Sequence, residues 1–169
     1  MLESKLRQRE EKLHNARKDF FRLLKTIYNK DELINAVCHF LVDNKIYSDV
    51  FIVFPDNKYI YRFATEAGIG SRFWPLEKQI QNEEFSACFK KSFFEQEVHI
   101  VDDVLIQCEN CPLISFHLGK TILSNRIEDR EHIEGVIVVA LPSKMLLSGE
   151  SDIELEKNFL CELCYITGI

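Results

Sequence analysis

The sequence predicts an α+β domain in which helices pack on the faces of an antiparallel sheet. Three observations indicate this class. The first 28 residues carry a helical apolar repeat, apolar runs typical of strands come in neighbouring pairs, and further helical patterns separate these pairs. Hairpins joined by helices favour an antiparallel sheet. The 169 residues fit one domain with an appended helix.

The N-terminal segment, residues 1–28, is predicted to form one long helix. Its apolar side chains recur with the heptad spacing of a coiled coil, and Arg9 is the single polar residue in the repeat. Positions a and d hold Leu2, Leu6, Leu13, Ala16, Phe20, Leu23 and Ile27. The densely charged flanks favour a seam that pairs with another chain. The alternative is an amphipathic helix that lies on its own domain.

The next elements are a helix and a buried strand. Asn29 is a suitable N-cap with Glu32 three residues later, and the helical pattern ends near Asn44. The period then changes, because residues 49–55 (DVFIVFP) form a continuous apolar run typical of a strand buried on both faces. A polar turn leads to a second strand at 59–65, so the two strands are predicted to form a hairpin.

A loop with the only tryptophan, Trp74, comes next, followed by a short helix for which Asn82 is the predicted cap. Spacings of three and four residues along this helix join Phe85, Cys88, Phe89 and Phe93. On spacing alone, these side chains belong to a core. Residues 98–104 are predicted to form a short strand that ends on two aspartates.

The clearest hairpin in the sequence comes from residues 121–127 and 132–142, which a charged turn joins. A terminal helix then follows a serine or aspartate cap, and its apolar residues cover more than half of its circumference. So wide an apolar face predicts burial on two sides, against the sheet and against a partner helix. We expect Phe159 and Leu163 to contact the partner.

Charge and hydropathy exclude several classes of protein. The formal net charge is -6 without a basic cluster, which argues against nucleic acids and anionic membranes as partners. No apolar run reaches the roughly 18 residues that a membrane span needs. The N-terminal segment is too charged for a signal peptide. We therefore expect a cytoplasmic protein without direct membrane contact, in which the six cysteines are reduced.

Two Cys-x-x-Cys pairs, CENC at 108–111 and CELC at 161–164, raise the question of a metal site or a redox switch. Zinc ribbons separate their two pairs by roughly 15–20 residues, and here the gap is far longer. CELC lies in a helix, where free cysteine packs as a small hydrophobic residue. CENC lies in a loop, where Cys108 and Cys111 either shape a tight turn or form a redox, metal or haem site with His117. We favour the turn and leave the cofactor open.

The order of elements resembles the GAF domain, a small-molecule-sensing module of bacterial and archaeal signalling proteins. The resemblance rests on LINAVCHFLVDNKIYSDVFIVFPD, on EVHIVDDV, and on TILSNRIEDREHIEGVIVVALPS, in which Gly135 precedes the last apolar run. CENCPL also resembles GAF domains that lie beside PAS domains in sensor histidine kinases. The chain then divides into a signalling helix at 1–28 and a GAF sensor domain at 29–169.

This resemblance implies a sheet of five or six antiparallel strands, with terminal helices on one face and a ligand pocket on the other. The candidate pocket residues are Phe63, Trp74, Phe85, Cys88, Phe89 and His117. The Asn-Lys-x-Asp-Glu pattern of cyclic-nucleotide-binding GAF domains is absent, so we do not expect that ligand. Such modules commonly form parallel homodimers, and the expected contacts are Leu6, Leu13, Phe20, Leu23, Ile27, Phe159 and Leu163.

The predicted function is therefore a regulatory sensor, in which a small ligand biases dimeric helices of a two-component signalling protein, with a histidine kinase as the expected parent. We expect no enzyme activity. The adjacent Asp102 and Asp103 point in opposite directions at a strand end, and the Ala-Cys-Asp segment of the free methionine sulfoxide reductases is missing. Two alternatives stay open: a redox or haem/metal sensor that uses Cys108 and Cys111, and a dimerisation module without a ligand.

Overall fold

A computed structural model describes residues 2–55, 61–130 and 132–167. The helices are α1 (Leu2–Leu24), α2 (Lys30–Asp43), α3 (Trp74–Gln81), α4 (Ala87–Phe94), α5 (Val104–Gln107), α6 (Ser143–Leu147) and α7 (Ile153–Thr167). A 3₁₀ turn spans Gly70–Phe73. The strands are β1 (Asp49–Pro55), β2 (Tyr61–Ala67), β3 (His99–Val101), β4 (Lys120–Asp129) and β5 (His132–Pro142). Helices and an antiparallel sheet in this order confirm the predicted α+β class.

The five strands form one antiparallel sheet with the order β2-β1-β5-β4-β3. The long β4–β5 hairpin and the β1–β2 hairpin, both predicted, join side by side because β1 pairs with β5. Gly135 of β5 lies against the backbone of β1. A Cβ atom there would stand 2.7 Å from the carbonyl oxygen of Val53, so only glycine fits without a backbone shift.

Strand β1 is buried on both faces, as its continuous apolar run predicts. Val50 and Ile52 pack on one side of the sheet, and Phe51 and Val53 pack on the other. We call the first side, covered by α1, α2 and α7, the helix face. We call the other side, covered by the 3₁₀ turn, α3, α4, α5 and residues 108–119, the loop face.

The caps of α2 and α7 agree with the sequence patterns. The side-chain oxygen of Asn29 accepts hydrogen bonds from the backbone N–H groups of Asp31 and Glu32, and α2 ends at Asp43. Asp152 caps α7 in the same way, by accepting from the second and third following backbone N–H groups. Each cap satisfies donors that a helix cannot pair internally.

The region around Trp74 differs from the predicted loop, because Trp74 opens helix α3. Pro75 occupies the first turn, where its missing N–H costs nothing. Leu76 and Ile80, four residues apart, bury the inner side of the helix. Asn82 ends this helix, its backbone N–H donating to the last carbonyls, whereas the predicted role was to cap the next one. Helix α4 starts instead after Ser86.

The predicted strand at 98–104 is shorter in the structure. Strand β3 spans only His99–Val101, and Asp103 leaves the sheet to cap the four-residue helix α5, accepting from the backbone N–H of Leu105. No helix in the described part of the chain has the length and apolarity that crossing a bilayer requires.

Helix α1 lies on its own domain, which is the alternative considered for the heptad pattern. Leu13 and Phe20 are fully buried in the core of the same chain, together with Phe159 and Leu163 of α7. These four residues therefore contact their own domain in this structure, rather than a second chain. The remaining residues of the predicted dimer seam, Leu6, Leu23 and Ile27, are half-buried. A dimer stays a prediction, and its contacts must involve other side chains than the buried four.

Candidate functional site

The inner side of α4 is packed against the loop face of the sheet. The rings of Phe85 and Phe89 stack with centroids 4.4 Å apart, and Phe93 stacks on Phe89 at 6.2 Å. Cys88 and Phe89 are buried beside Val101 and neighbouring core residues of this face. The spacing of three and four residues thus does form a core, as its periodicity predicted.

The CENC segment is a tight turn at the end of α5. The backbone N–H of Cys111 donates to the carbonyl oxygen of Cys108 over 3.4 Å, and Asn110 takes a left-handed backbone conformation with φ of 59°. Asparagine tolerates this conformation better than most residues. The turn that we favoured from the sequence is therefore present.

The structure brings a third thiol, that of Cys88, into the neighbourhood of Cys108 and Cys111, all three lying in or against the core of the loop face. Burial, with a smaller contribution from the neighbouring thiols, raises the pKa of Cys88 to about 12 and that of Cys108 to about 11. Burial also raises the pKa of Cys111. At neutral pH the three groups are protonated, so they are weak nucleophiles and weak metal ligands.

No set of three or more histidine, cysteine, aspartate or glutamate side chains within the described ranges is placed to hold a metal ion. The three thiols therefore do not form a ready metal site. Cys161 and Cys164 lie one turn apart on helix α7. Cys164 is buried in the core as predicted, whereas Cys161 is exposed.

A buried polar network fixes the segment that follows CENC. Asp49, at the start of β1, accepts from Nε2 of His117 at 2.7 Å and from Nζ of Lys120 at 2.8 Å. Burial alone would raise the pKa of the Asp49 carboxyl, but the hydrogen bonds and charges of His117 and Lys120 outweigh it and lower that pKa. Because the network joins β1 to the start of β4, it anchors the end of the segment 108–119.

Phe116 adds an aromatic contact to this anchor. The ammonium of Lys120 lies 3.8 Å from the centroid of the Phe116 ring, and the guanidinium of Arg72 lies 5.3 Å from it. A cation over a ring face is attracted by the ring quadrupole. The 3₁₀ turn, the segment 108–119 and strand β4 are thereby connected through one ring.

The terminal helices are joined by a buried ion pair on the other side of the sheet. Nε of Arg9 lies 2.7 Å from Oε1 of Glu156, and the two side chains are 4% and 0% exposed. Arg9 also donates to the carbonyl oxygen of Ile46, and Ser151 donates to the same carboxylate at 2.6 Å. A buried pair of this kind is sensitive to the loss of either partner.

Two further ion pairs join α1 to α7 and to the residues just before it. Lys5 pairs with Glu150 at 2.8 Å, and Arg17 pairs with Glu162 at 2.6 Å. Along α1, each later residue pairs with a later residue of the C-terminal segment, so α1 and α7 run parallel. Arg9, the polar residue in the heptad pattern, is thus the centre of an intramolecular contact.

The predicted pocket residues are divided among several places. Phe85, Cys88 and Phe89 are in the packed loop face, while His117 is held by Asp49. Trp74 is 69% exposed and lines an open groove beside α2 and β2. Phe63 lies in β2, but its side chain is outside the part of the chain that the structure describes.

Sequence reasoning missed the partners in both buried networks. The apolar run predicts only a strand for Asp49, and no motif marks Lys120 or Glu156. One usable indication was Arg9, because a charged residue at a seam position requires a buried partner. The positions of Asp49 and Glu156 within otherwise apolar patterns were weaker indications of the same kind.

Comparison with known proteins identifies the fold. No protein-family model matches the sequence, and no curated protein sequence matches it significantly. Solved structures do match. The GAF domain of a phosphoenolpyruvate-protein phosphotransferase from Coxiella burnetii has a TM-score of 0.67 at 11% identity, covering 94% of this chain and 92% of that one.

Two other solved structures agree with it. The A. aeolicus nlh2 GAF domain in an inactive state has a TM-score of 0.65 at 14% identity, covering 95% of each chain. A GAF domain/HD domain protein from Geobacter sulfurreducens has a TM-score of 0.63 at 13% identity, covering 84% of this chain and 91% of that one. Together with the five-stranded antiparallel sheet and its flanking helices, these likenesses show that the chain has the GAF fold.

Proposed function

We propose that this chain is a regulatory sensor module that binds a small ligand and transmits its occupancy through α1 and α7. The observation that supports this most is the buried pair of Arg9 and Glu156, which makes the two long terminal helices one unit on the helix face. The fold is compatible with such a role, because the similar solved structures include GAF domains of a phosphotransferase and of a GAF/HD protein. A segment of a methyl-accepting chemotaxis protein is also similar, with a TM-score of 0.53.

The transmission route that we propose runs through the sheet. Strands β1 and β5 contribute side chains to both faces, so a shift on the loop face reaches the helices directly. A ligand shifts such an equilibrium only by its difference in affinity for the two arrangements. In this proposal the short elements of the loop face move when the ligand binds, and the joined helices α1 and α7 change position in response.

The homodimer is part of the proposal, with altered contacts. Phe21 of α1 is 49% exposed and Tyr165 of α7 is 76% exposed, near the carboxyl ends of two parallel helices. A second copy that packs on this pair of helices would cover both rings.

The parent protein that we propose is a cytoplasmic histidine kinase of a two-component system. This proposal rests on the resemblance of CENCPL to GAF domains beside PAS domains.

A second candidate function is redox sensing through the CENC turn. The hydrogen bond between the backbones of Cys108 and Cys111 closes a turn short enough for a disulfide between these residues. The raised pKa values of both thiols oppose fast oxidation. We therefore place this function second, and we propose no cofactor.

Hydrogen exchange tests the main proposal. A panel of amino acids, nucleotides, nucleobases and 2-oxoacids is first screened by the rise in melting temperature. For any compound that stabilises the protein, we expect amide protection to change in α1 and α7 as well as on the loop face. Changes confined to the loop face would contradict transmission.

Light scattering tests the homodimer separately. A monomer at micromolar concentration would contradict the dimer.

A further inference from the structure

An open groove lies at the β2 edge of the sheet, away from the packed aromatic residues of α4. Helix α2, strand β2 and the start of α3 form its walls. Its volume of about 410 Å³ is in the range of small-ligand sites. The groove is lined by Asn35, His39, Ala64, Thr65, Glu66, Gly70, Ser71, Phe73, Trp74 and Glu77.

The charge of this groove has one sign. Glu66 and Glu77 line it, and neither lysine nor arginine is among the described residues that do so. Two backbone N–H groups, those of Ile69 and Gly70, donate to Oε2 of Glu66 at 3.0 and 3.1 Å. This carboxylate is therefore held in place before any ligand arrives. The other wall is fixed too, because Thr65 donates to the side-chain oxygen of Asn35 at 2.9 Å.

An exposed tryptophan forms one rim of the groove. Trp74 is 69% exposed, which is unusual for the largest apolar side chain. Glu77 follows it by three residues on α3, so the two side chains lie on the same side of that helix. An aromatic face beside two carboxylates offers both attractions that an organic cation experiences, a ring quadrupole and negative charge.

We propose that this groove binds a small organic cation, such as an amine, a guanidinium or a quaternary ammonium compound, against Trp74 and between Glu66 and Glu77. The inference names a ligand class for the sensor and to that extent rests on the proposed function. Binding of the cation can be measured whether or not the domain transmits its occupancy to α1 and α7. The net charge of -6 favours the approach of cations to the whole chain.

Intrinsic fluorescence tests the proposal directly, because Trp74 is the only tryptophan. The probes are choline, putrescine and agmatine, each added up to about 10 mM, a limit chosen to include weak binding. The neutral probes are 3,3-dimethylbutan-1-ol, which has the shape of choline, and butane-1,4-diol, which has the length of putrescine. We expect at least one cation to change the emission saturably, and the neutral compounds to change it little.

Variants separate charge from shape. Glu77→Gln is expected to lower the affinity for the cation two- to fivefold. The double variant Glu66→Gln/Glu77→Gln is expected to lower it about tenfold. The matched control is Glu97→Gln, which removes the same charge at an exposed position outside the groove and is expected to change nothing. Trp74→Leu should reduce the affinity for the cation about tenfold. Because this variant has no tryptophan, its binding is measured by ligand-observed NMR. Circular dichroism checks that each variant is folded.

The possible results decide the matter. Equal binding of a cation and its neutral counterpart, the same affinity in the Glu77→Gln and Glu97→Gln variants, or no saturable change with any cation would overturn the inference. If a cation binds but protection of α1 and α7 is unchanged, the cation site stands and the proposed transmission fails. If no cation binds while another compound changes that protection, the sensor stands and this inference fails.

Discussion

The two faces of the sheet are built in different ways. On the helix face, three helices of 14 to 23 residues cover a core of aliphatic and aromatic side chains that includes Phe20, Tyr47 and Phe159. On the loop face, helices of four to eight residues and a long connecting segment cover aromatic rings and thiols. Short helices gain little from their own hydrogen bonds. The loop face therefore depends on tertiary contacts at each element and is the face suited to local change.

The described residues form a buried ionic network on each face, and the two networks have different tasks. Arg9 and Glu156 connect the two terminal helices to each other. Asp49, His117 and Lys120 connect a long segment to two strands. The first network unites large rigid elements, and the second holds a segment that has little regular structure of its own. Removing each in turn is therefore the most direct way to test the contrast between the faces.

The largest effect is expected on the helix face. Arg9→Ala leaves the Glu156 carboxylate buried without its cation and should lower the free energy of unfolding by about 3–5 kcal/mol, as measured by urea denaturation. The double variant Arg9→Met/Glu156→Leu should recover most of this loss, since apolar residues of similar volume replace a buried pair well. Lys5→Ala, which removes the exposed pair with Glu150, is the control and should change stability little. Equal losses in the Arg9→Ala and Lys5→Ala variants would contradict the buried pair.

A smaller effect, dependent on pH, is expected on the loop face. The folded state holds the pKa of Asp49 below its value in the unfolded chain. Its contribution to stability is therefore present above about pH 4 and is lost as the pH falls through the lowered folded value. Asp49→Asn should cost about 2 kcal/mol at pH 7 and should flatten the acid limb of the stability curve. The measurement is urea denaturation between pH 3 and pH 7. An acid limb as steep as that of the unchanged protein would refute the role of Asp49.

The smallest change concerns rates rather than stability. Among the six cysteines, Cys161 is exposed, whereas burial raises the pKa of Cys88, Cys108 and Cys111. At pH 7.5 a chromogenic disulfide reagent should therefore label one thiol quickly and the others slowly. Cys161→Ser should remove the fast phase. A fast phase that persists in this variant, and that disappears with Cys108→Ser, would favour the redox function instead.

Local patterns were sufficient for much of the sheet and for two helices. The apolar run of β1, the hairpin of β4 and β5 and the cap at Asn29 each depend on neighbours in the sequence, and the structure confirms them. The glycines before Trp74 predict a loop, and Leu76 and Ile80 alone form too short an apolar pattern to predict helix α3.

The candidate sites were harder to predict, because they depend on contacts between distant parts of the chain. The heptad pattern of α1 shows that one side is apolar, but not whether another chain or the same domain covers it. The partner of Arg9 is 147 residues away, and no local signal points to it. The groove beside Trp74 likewise joins α2, β2 and α3, which only the fold brings together.

That distance also determines the order of events during synthesis. Arg9 leaves the ribosome long before Glu156, and at roughly 5–20 residues per second the interval is on the order of ten seconds. Throughout it, the apolar side of α1, with Leu13 and Phe20, lacks the α7 residues that cover it in the finished domain. A nascent chain with such a side exposed is a substrate for chaperones that hold apolar segments. Helix α7, which completes the burial of α1, is therefore synthesised long after it.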